Sequence, residues 1–219
     1  VVLCHGFGAP GTDLVSLAPD LILLEPGLAD GVRFVFPAGP LRLDEVGLAG
    51  GRAWWMIDLN RLNAAMERGE VLDLRRETPD GLPEARRQLM ELVGTVCVRM
   101  KVGPSQIVLG GFSQGAMLAT DVTLRLDDAP AALCIWSGTL LCEDDWRRLA
   151  PRRRGLRVLQ SHGRSDPLLP FAAAESLRDL LEGAGLEIEF LPFAGFHEIP
   201  REALRRFADL LQHRLAACP

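Results

Sequence analysis

The sequence predicts an α/β fold in which a mostly parallel central sheet is covered by helices on both faces. Three observations lead to this prediction. Short apolar runs alternate along the chain with longer segments whose apolar residues recur at helical spacing. Most of the short runs are continuously apolar, which is typical of parallel strands buried on both faces. The 219 residues contain no internal repeat or interdomain linker, so we expect a single domain over residues 1–219.

The first half of the chain supplies two predicted strands and a long helix. Residues 1–4 form an apolar run that ends at His5-Gly6, and residues 32–36 form a second run that ends at Pro37. Residues 82–100 carry apolar side chains at helical spacing, and Gly103-Pro104 follows them. These signals predict two buried strands, the first of which leads into a glycine-rich turn, and one amphipathic helix.

The second half alternates strands and helices in a regular order. Each predicted strand is a short apolar run, and the glycines at 183 and 185 end one of the helices. The predicted strands span residues 106–109, 131–136, 156–160 and 186–193. The predicted helices span residues 115–126, 171–182 and 201–215.

One connection, residues 39–81, is far longer than the roughly four to six residues usual in compact domains. It contains the adjacent pair Trp54 and Trp55, and a short helix is predicted after them, with three apolar residues on one face: Leu59, Leu62 and Met66. Because the connection leaves the carboxyl end of a predicted strand, we expect it to form a rim or partial lid over the functional site. Trp54 and Trp55 are then candidate substrate-binding residues that line an apolar pocket. The alternative is that both fill the core beneath the loop.

The charge and composition narrow the range of partners. The net charge is −5, so no general footprint for nucleic acid is present, and no run approaches the roughly 18 apolar residues that a membrane span needs. No dinucleotide fingerprint or cluster of metal ligands is recognisable, so no cofactor and no metal are expected. One basic run, for which a solvated surface loop is expected, comprises Arg147, Arg148, Arg152, Arg153, Arg154 and Arg157. The oligomeric state stays open, with a dimer as one option.

The five cysteines do not indicate a disulfide framework. Their number is odd, and no C-x-x-C pair occurs. Cys4, Cys97 and Cys134 lie in apolar runs, where a buried and inert thiol is typical. This pattern favours a reducing compartment, and a cytoplasmic location is therefore expected.

Residues 111–115 read G-F-S-Q-G and match the pattern G-x-S-x-G, with Ser113 at its centre. A serine nucleophile must project from a very tight turn between a strand and a helix, and glycines avoid collisions there. The amides at the start of the following helix point towards the site where negative charge develops. The motif follows a predicted strand and opens a predicted helix, as the mechanism requires. The competing interpretation is a serine that only caps the helix.

A serine nucleophile needs a base, and the base needs an acid that holds its tautomer. Asp166 follows the predicted strand at 156–160, and His197 follows the strand at 186–193, so both lie on loops at the carboxyl ends of strands. The order serine, acid, histidine is the one that such sheets use. His5 and His162 each precede a glycine at a strand end and are expected to be structural. Each residue taken alone has a competing interpretation. Asp166 could belong to a turn-forming Asp-Pro pair, and His197 could be an exposed or helix-capping histidine.

At these residues the chain resembles the phospholipase/carboxylesterase family, which includes acyl-protein thioesterases. The matching strings run through nearly the whole chain: L-C-H-G-F-G at 3–8, F-P at 36–37, R-A-W at 52–54, G-F-S-Q-G-A at 111–116, S-G at 137–138, S-H-G at 161–163 with Asp166, and H-E-I at 197–199. The resemblance implies an α/β-hydrolase fold, and an oxyanion hole formed by the backbone N–H groups of Phe7 and Gln114. One departure is that Phe196 separates Gly195 from His197, whereas in the family the histidine usually follows glycine directly.

The residues and the resemblance together predict a serine hydrolase that cleaves a small acyl ester or thioester through an acyl-enzyme on Ser113, in the manner of a carboxylesterase, lysophospholipase or acyl thioesterase. Two alternatives stay open. Another hydrolase on the same fold, such as a peptidase or lactone hydrolase, would use the same residues. A binding protein that retains the fold without activity would not be labelled by a fluorophosphonate.

Overall fold

The computed structural model describes residues 1–68 and 73–216. The side chains of Leu62 and Met66, on the predicted helix face, and Cys218 lie outside the described part of the chain. Seven strands are present in that part: β1 (Val2–Cys4), β2 (Leu41–Arg42), β3 (Arg52–Ala53), β4 (Val108–Phe112), β5 (Ala132–Trp136), β6 (Arg157–Gly163) and β7 (Glu187–Phe193). The α-helices there are α1 (Leu17–Leu24), α2 (Leu28–Gly31), α3 (Leu59–Glu67), α4 (Leu82–Met100), α5 (Gln114–Arg125), α6 (Glu143–Leu149), α7 (Phe171–Gly183) and α8 (Arg201–Ala216).

The central sheet has five strands in the order β1-β4-β5-β6-β7, and every neighbouring pair is parallel. Parallel neighbours need crossover connections, which helices provide between β4 and β5 and between β6 and β7. The carboxyl ends of all five strands therefore meet at one edge of the sheet, where the connections that follow them can form a site. The predicted fold class is confirmed.

The two faces of the sheet bury separate apolar clusters. Along β5, Leu133 and Ile135 point into a cluster that includes residues of α4, α5, α6 and α7, whereas Cys134 and Trp136 point into a cluster shared with α1, α2 and α8. This alternation follows from the two-residue period of a strand. The second cluster is anchored where the rings of Trp136 and Phe207 pack edge to face, 5.1 Å apart. Because both faces are covered, the strands need the continuously apolar sequences from which they were predicted.

The predicted strand at 32–36 is reduced to a single parallel bridge. Val35 pairs with Val2: its N–H donates to the carbonyl of Val1, and its carbonyl accepts from the N–H of Leu3. The segment lies at the outer side of β1, which is itself three residues long, and Pro37 follows it. Few hydrogen bonds between the strands can therefore form, because β1 is short and Pro37 has no N–H group to donate. Helices α1, α2 and α6 were not predicted.

The long connection at 39–81 has structure of its own. Strands β2 and β3 form an antiparallel hairpin, and α3 follows at the position where a short helix was predicted. The hairpin packs against the turn after β1, because the N–H of Gly8 donates to the carbonyl of Arg52 at 2.9 Å and the N–H of Arg52 donates to the carbonyl of Ala9 at 3.0 Å. The hairpin is thereby attached at the edge of the sheet where the strands end.

The basic run is not entirely a solvated loop, which corrects the expectation for one of its members. The side chain of Arg153 is buried, and its Nε donates to the carbonyl of Thr123 at 2.7 Å while Nη2 donates to the carbonyl of Leu126. These carbonyls lie at the carboxyl end of α5, where the helix leaves acceptors unpaired and where a positive charge is favoured. Arg153 therefore caps α5.

A buried carboxylate joins three helices on the same face of the sheet. Asp121, on α5, has no exposed surface and accepts hydrogen bonds from Arg86 of α4, Arg125 of α5 and the indole Nε1 of Trp146 of α6. A buried charge is tolerated only with such partners. In the described residues, no helix is long and apolar enough to cross a membrane, and no three His, Cys, Asp or Glu side chains are grouped to hold a metal ion.

Candidate active site

Ser113 occupies a strained turn between β4 and α5. Its backbone has φ 53° and ψ −119°, outside the regions that residues with a side chain normally adopt. The turn is held because the N–H of Ser113 donates to the carbonyl of Trp136 on the neighbouring strand at 2.9 Å. The glycines are required by space: a Cβ atom on Gly111 would lie 2.5 Å from the carbonyl oxygen of Cys4, and one on Gly115 would collide with the backbone of Cys4.

Asp166 and His197 meet beyond the ends of β6 and β7. The Nδ1 atom of His197 donates to Oδ2 of Asp166 at 2.7 Å, and the amides of Leu168 and Leu169 both donate to Oδ1 at 2.9 Å. The Asp166 carboxylate has no exposed surface, whereas 13% of the His197 side chain is exposed. Both oxygens of the acid are therefore occupied, and Nε2 is the ring nitrogen of His197 that is left for chemistry.

The environment keeps Asp166 ionised. Burial alone would raise the pKa of this carboxyl, but the hydrogen bonds from His197 and from the Leu169 and Leu168 amides outweigh it, and the pKa lies below its usual value of 3.8. An ionised acid next to Nδ1 favours the tautomer in which that nitrogen carries the proton. It also stabilises the positive charge that forms when Nε2 accepts another.

The two other strand-end histidines are structural, as expected. His5 is buried, its Nδ1 donates to the carbonyl of Gly6 at 2.7 Å, and its Nε2 accepts from the N–H of Gly39 at 2.8 Å. His162 is also buried, and its Nε2 donates to the carbonyl of Leu169 at 2.8 Å while lying 3.4 Å from Oδ2 of Asp166. Burial lowers the pKa of both rings below 6.5, so both are neutral supports of loops.

Ser113 is brought to the same edge of the sheet as the acid and the histidine. The ring of Phe112, the residue before Ser113, packs on the His197 ring with 4.8 Å between the centroids. Among the described residues, no hydrogen bond joins the Ser113 hydroxyl to Nε2 of His197. Such bonds are often long without substrate and shorten when it binds, so the arrangement is compatible with proton transfer.

The turn after β1 faces Ser113. A Cβ atom on Gly6 would lie 3.3 Å from Cβ of Ser113, so a side chain there would require Ser113 or the Phe112 ring to shift by a few tenths of an ångström. The N–H groups of the two predicted oxyanion donors, Phe7 and Gln114, donate to no acceptor within residues 1–68 and 73–216. Gln114 is the first residue of α5, where N–H groups have no partner within the helix. Two unpaired amides beside a serine can hold a developing oxyanion.

Both tryptophans predicted to bind substrate are buried. Trp54 is 4% exposed and Trp55 is 3% exposed, and both belong to the apolar cluster on the α5 face. This position agrees with the alternative in which they fill the core, and a role in substrate binding stays a prediction. Their backbone is bound by the Gln114 side chain: the N–H of Trp54 donates to Oε1 at 2.9 Å, and Nε2 donates to the carbonyl of Trp55 at 2.8 Å.

Sequence reasoning missed two side chains that support this arrangement, although the backbone N–H of one of these residues, Gln114, was predicted to bind the oxyanion. Besides the Gln114 side chain, Ser137 has φ 48° at the end of β5, and its Oγ donates to the carbonyl of Glu198 at 3.2 Å, next to His197. The sequence pointed to Ser137 only through the S-G string at 137–138, which matches the family but predicted no role for Ser137. Ser113 and Ser137 thus both adopt left-handed φ values at the ends of adjacent strands.

The comparisons with known proteins agree with this geometry. The sequence pattern of the Phospholipase/Carboxylesterase family matches residues 1–215. The chain is similar to acyl-protein thioesterase 1 of Neurospora crassa, with 29% identity over 98% of this chain and 86% of that protein. It is also similar to acyl-protein thioesterase 1 of Gibberella zeae, with 25% identity over 98% of this chain and 90% of that protein.

Solved structures share the fold. SOBER1 of Arabidopsis thaliana superposes with a TM-score of 0.74 and 18% identity over 98% of this chain and 97% of that one. The esterase PE8 superposes with a TM-score of 0.74 and 25% identity over 97% of this chain and 90% of that one. These structures support the α/β-hydrolase fold, and the match over residues 1–215 shows that the chain belongs to the phospholipase/carboxylesterase family.

Proposed function

We propose that this protein hydrolyses carboxylic esters or thioesters by two-step acyl transfer, with Ser113 as nucleophile, His197 as general base and Asp166 as the acid that orients it. The observation that carries the proposal is the 2.7 Å hydrogen bond from Nδ1 of His197 to Asp166, on the sheet edge where Ser113 projects from its strained turn. The relatives named acyl-protein thioesterase and the structure named esterase support the choice of substrate class.

In the first step, Nε2 of His197 takes the hydroxyl proton of Ser113 as Oγ bonds to the carbonyl carbon of the substrate. The carbonyl oxygen becomes an oxyanion, which accepts hydrogen bonds from the N–H groups of Phe7 and Gln114. The C–O or C–S bond then breaks, and the leaving alcohol or thiol takes the proton from His197. In the second step a water molecule attacks the acyl-enzyme, His197 again accepts the proton, and the carboxylic acid leaves as Ser113 regains its hydrogen.

We also propose that residues 39–81 form a rim beside this site, within a single domain. A Cβ atom on Gly8, next to the Phe7 amide, would lie 3.6 Å from Cδ1 of Leu48 in the β2–β3 hairpin, which supports this placement. The hairpin and the residues after it expose large apolar side chains: Leu41, Val46, Leu48 and Met56. Such side chains suit an acyl chain that is neither fully buried nor fully solvated.

A reducing, cytoplasmic location is part of the proposal. The described cysteines, Cys4, Cys97, Cys134 and Cys142, are all free thiols, which supports it. Fractionation of the source cells would test the location, and recovery of the protein mainly outside the cytoplasm would contradict it.

The experiment that tests the function is labelling with a fluorophosphonate probe, followed by a substrate panel. The purified protein is expected to gain one probe mass on Ser113 by peptide mass spectrometry, and Ser113→Ala is expected to gain none. Esters, thioesters, lactones and short peptides are then compared by kcat/KM, and esters or thioesters are expected to lead. Absence of labelling would favour a binding protein, whereas labelling with faster cleavage of lactones or peptides would favour another hydrolase of this fold.

A further inference from the structure

We propose that the segment Arg52 to Trp55 positions both donors of the oxyanion hole. The segment holds the turn that contains the first donor, Phe7, mainly through the hydrogen bond from the indole N–H of Trp54 to the carbonyl of His5. The inference rests on the proposed function, since it concerns how the amides of Phe7 and Gln114 are held in place. In this proposal the R-A-W string at 52–54 positions catalytic backbone groups, which differs from the predicted role of Trp54 in lining the substrate pocket.

The turn is held on both sides of Phe7, at His5 two positions before it and at Gly8 directly after it. On one side, Nε1 of Trp54 donates to the carbonyl of His5 at 2.9 Å, and the Trp54 and His5 rings lie 5.3 Å apart. On the other side, the carbonyl of Arg52 accepts from the N–H of Gly8 at 2.9 Å. Two residues of one short segment therefore fix the backbone before and after Phe7, which determines where its N–H group points.

Gln114 is held by the same segment through its side chain. Its Oε1 accepts from the N–H of Trp54, and its Nε2 donates to the carbonyl of Trp55. The amide side chain is fully buried and uses both ends in this pair of bonds. The residue that supplies the second oxyanion donor is thus tied to the segment that holds the first one.

This arrangement matters because an oxyanion hole works through fixed positions. Its two N–H groups must converge on an oxygen that exists only in the transition state, and they stabilise it most when they need not reorganise. Phe7 and Gln114 are more than a hundred residues apart in sequence and lie on different elements. The segment from Arg52 to Trp55 bonds to both elements within a few residues, so it can hold the distance between the two N–H groups.

A role in stability alone makes a different prediction from a positioning role. If Trp54 only fills the core, removal of its N–H group lowers the stability and leaves the rate of the remaining folded enzyme unchanged. If it positions Phe7, the same change weakens transition-state binding and leaves binding of the neutral substrate nearly unchanged.

Trp54→Phe is the appropriate variant. It retains an aromatic ring and the backbone N–H that donates to Oε1 of Gln114, and it loses only the indole N–H and some side-chain volume. The matched control is Trp146→Phe. Trp146 is also buried, and its Nε1 also donates one hydrogen bond, at 2.8 Å, but to Asp121, which lies further along α5 than Gln114. Both variants are measured for kcat, KM and melting temperature, and for Ki of a boronic acid that forms a tetrahedral adduct with the serine.

We expect Trp54→Phe to lower kcat by about tenfold or more, to raise Ki of the boronic acid by a similar factor, and to change KM by less than about twofold. Trp146→Phe should lower the melting temperature with kcat and Ki within about twofold of the wild type. Wild-type kcat and Ki in Trp54→Phe, or an equal loss in Trp146→Phe, would overturn the inference. Failure of the proposed function is distinguishable, because the wild-type protein would then neither hydrolyse esters nor bind the boronic acid.

Gln114→Met gives a second route that keeps the backbone N–H of residue 114 and removes both side-chain hydrogen bonds. It is expected to show the same pattern as Trp54→Phe, with a loss in kcat and a matching rise in Ki. It also decides the question if Trp54→Phe yields too little folded protein. If neither variant folds while Trp146→Phe does, the segment has no role separable from folding, and the inference is wrong.

Discussion

The Nδ1 atom of His197 donates to Oδ2 of Asp166 across 2.7 Å, between two loops whose residues are 31 positions apart in sequence. The bond fixes the neutral imidazole in the tautomer whose Nε2 can accept a proton. Because two amides occupy the other carboxylate oxygen, the acid itself cannot rotate freely. Under the proposed mechanism, His197 is therefore a base that is already oriented before any substrate binds.

The first prediction separates the chemistry of Ser113 from its backbone strain. Ser113→Ala and Ser113→Gly should both lower kcat/KM by about 10⁴-fold or more, because the nucleophile is lost. Ser113→Gly should also be the more stable of the two, by roughly 1 kcal/mol, since glycine adopts φ 53° with ψ −119° without steric cost. Urea unfolding measures the difference. An equal free energy of unfolding in both variants would mean that the turn is not strained.

The second prediction concerns stability between about pH 5 and pH 7. Burial lowers the pKa of His5 and His162 below 6.5, so in this range the unfolded chain binds more protons at these two rings than the folded protein does. Stability should therefore rise with pH through the window and fall as pH drops below about 6.5. Asp166 affects stability at lower pH. Its pKa in the folded protein lies below 3.8, so its stabilising effect is lost only as pH falls through that lower pKa.

Urea unfolding at several pH values checks the histidine effect. His162→Gln removes one of the two titrating rings and keeps a side-chain N–H group of similar reach. The free energy of unfolding of this variant should depend less steeply on pH between about 5 and 7 than that of the wild type. An unchanged slope would mean that the pKa of His162 is the same in the folded protein as in the unfolded chain, which would contradict the prediction.

Much of this arrangement could be predicted from the sequence, because strand order and glycine spacing carry the information. The G-x-S-x-G string requires a tight turn, and Asp166 and His197 follow buried strands, so parallel topology alone brings them to one edge. What could not be predicted depends on side chains that meet across long sequence separations. The Gln114 side chain forms hydrogen bonds with the backbone of Trp54 and Trp55, some 60 residues away, and no local sequence pattern predicts these bonds.

Polar groups in the core were missed for the same reason. Asp121 lies on helix α5, and no feature of the surrounding sequence indicates that its charge is buried. Only the fold shows that Arg86, Arg125 and Trp146 surround it. Arg153 was likewise grouped with exposed neighbours, because its role as a cap depends on where α5 ends in space.

The third prediction concerns the thiols. Burial raises the pKa of Cys4, Cys134 and Cys142, so these groups stay protonated and unreactive near neutral pH. Native protein treated with iodoacetamide at about pH 7.5 should keep its esterase activity, and peptide mass spectrometry should find these three residues unmodified. Rapid loss of activity that substrate prevents would instead indicate a thiol that lines the site.

The last prediction distinguishes the buried from the exposed residues of the 39–81 connection. Trp55 is 3% exposed, whereas the neighbouring Met56 is 50% exposed, so the two adjacent side chains serve as a matched pair. Trp55→Ala should lower the free energy of unfolding by about 3–5 kcal/mol, as expected for a large side chain removed from a core. It should leave the ratio of kcat/KM for long and short acyl esters unchanged.

Met56→Ala should do the reverse, since an exposed side chain contributes little to stability but can contact an acyl chain at the rim. We expect a change of less than about 0.5 kcal/mol in stability and a fall of roughly tenfold in the ratio of kcat/KM for twelve-carbon and two-carbon acyl esters. Leu23→Ala, on α1 and 82% exposed, is the control for loss of an exposed apolar side chain elsewhere. If Trp55→Ala shifts the chain-length ratio and Met56→Ala does not, the tryptophan lines the pocket, as the sequence first suggested. If neither variant moves the ratio, the connection is not a rim for the acyl chain.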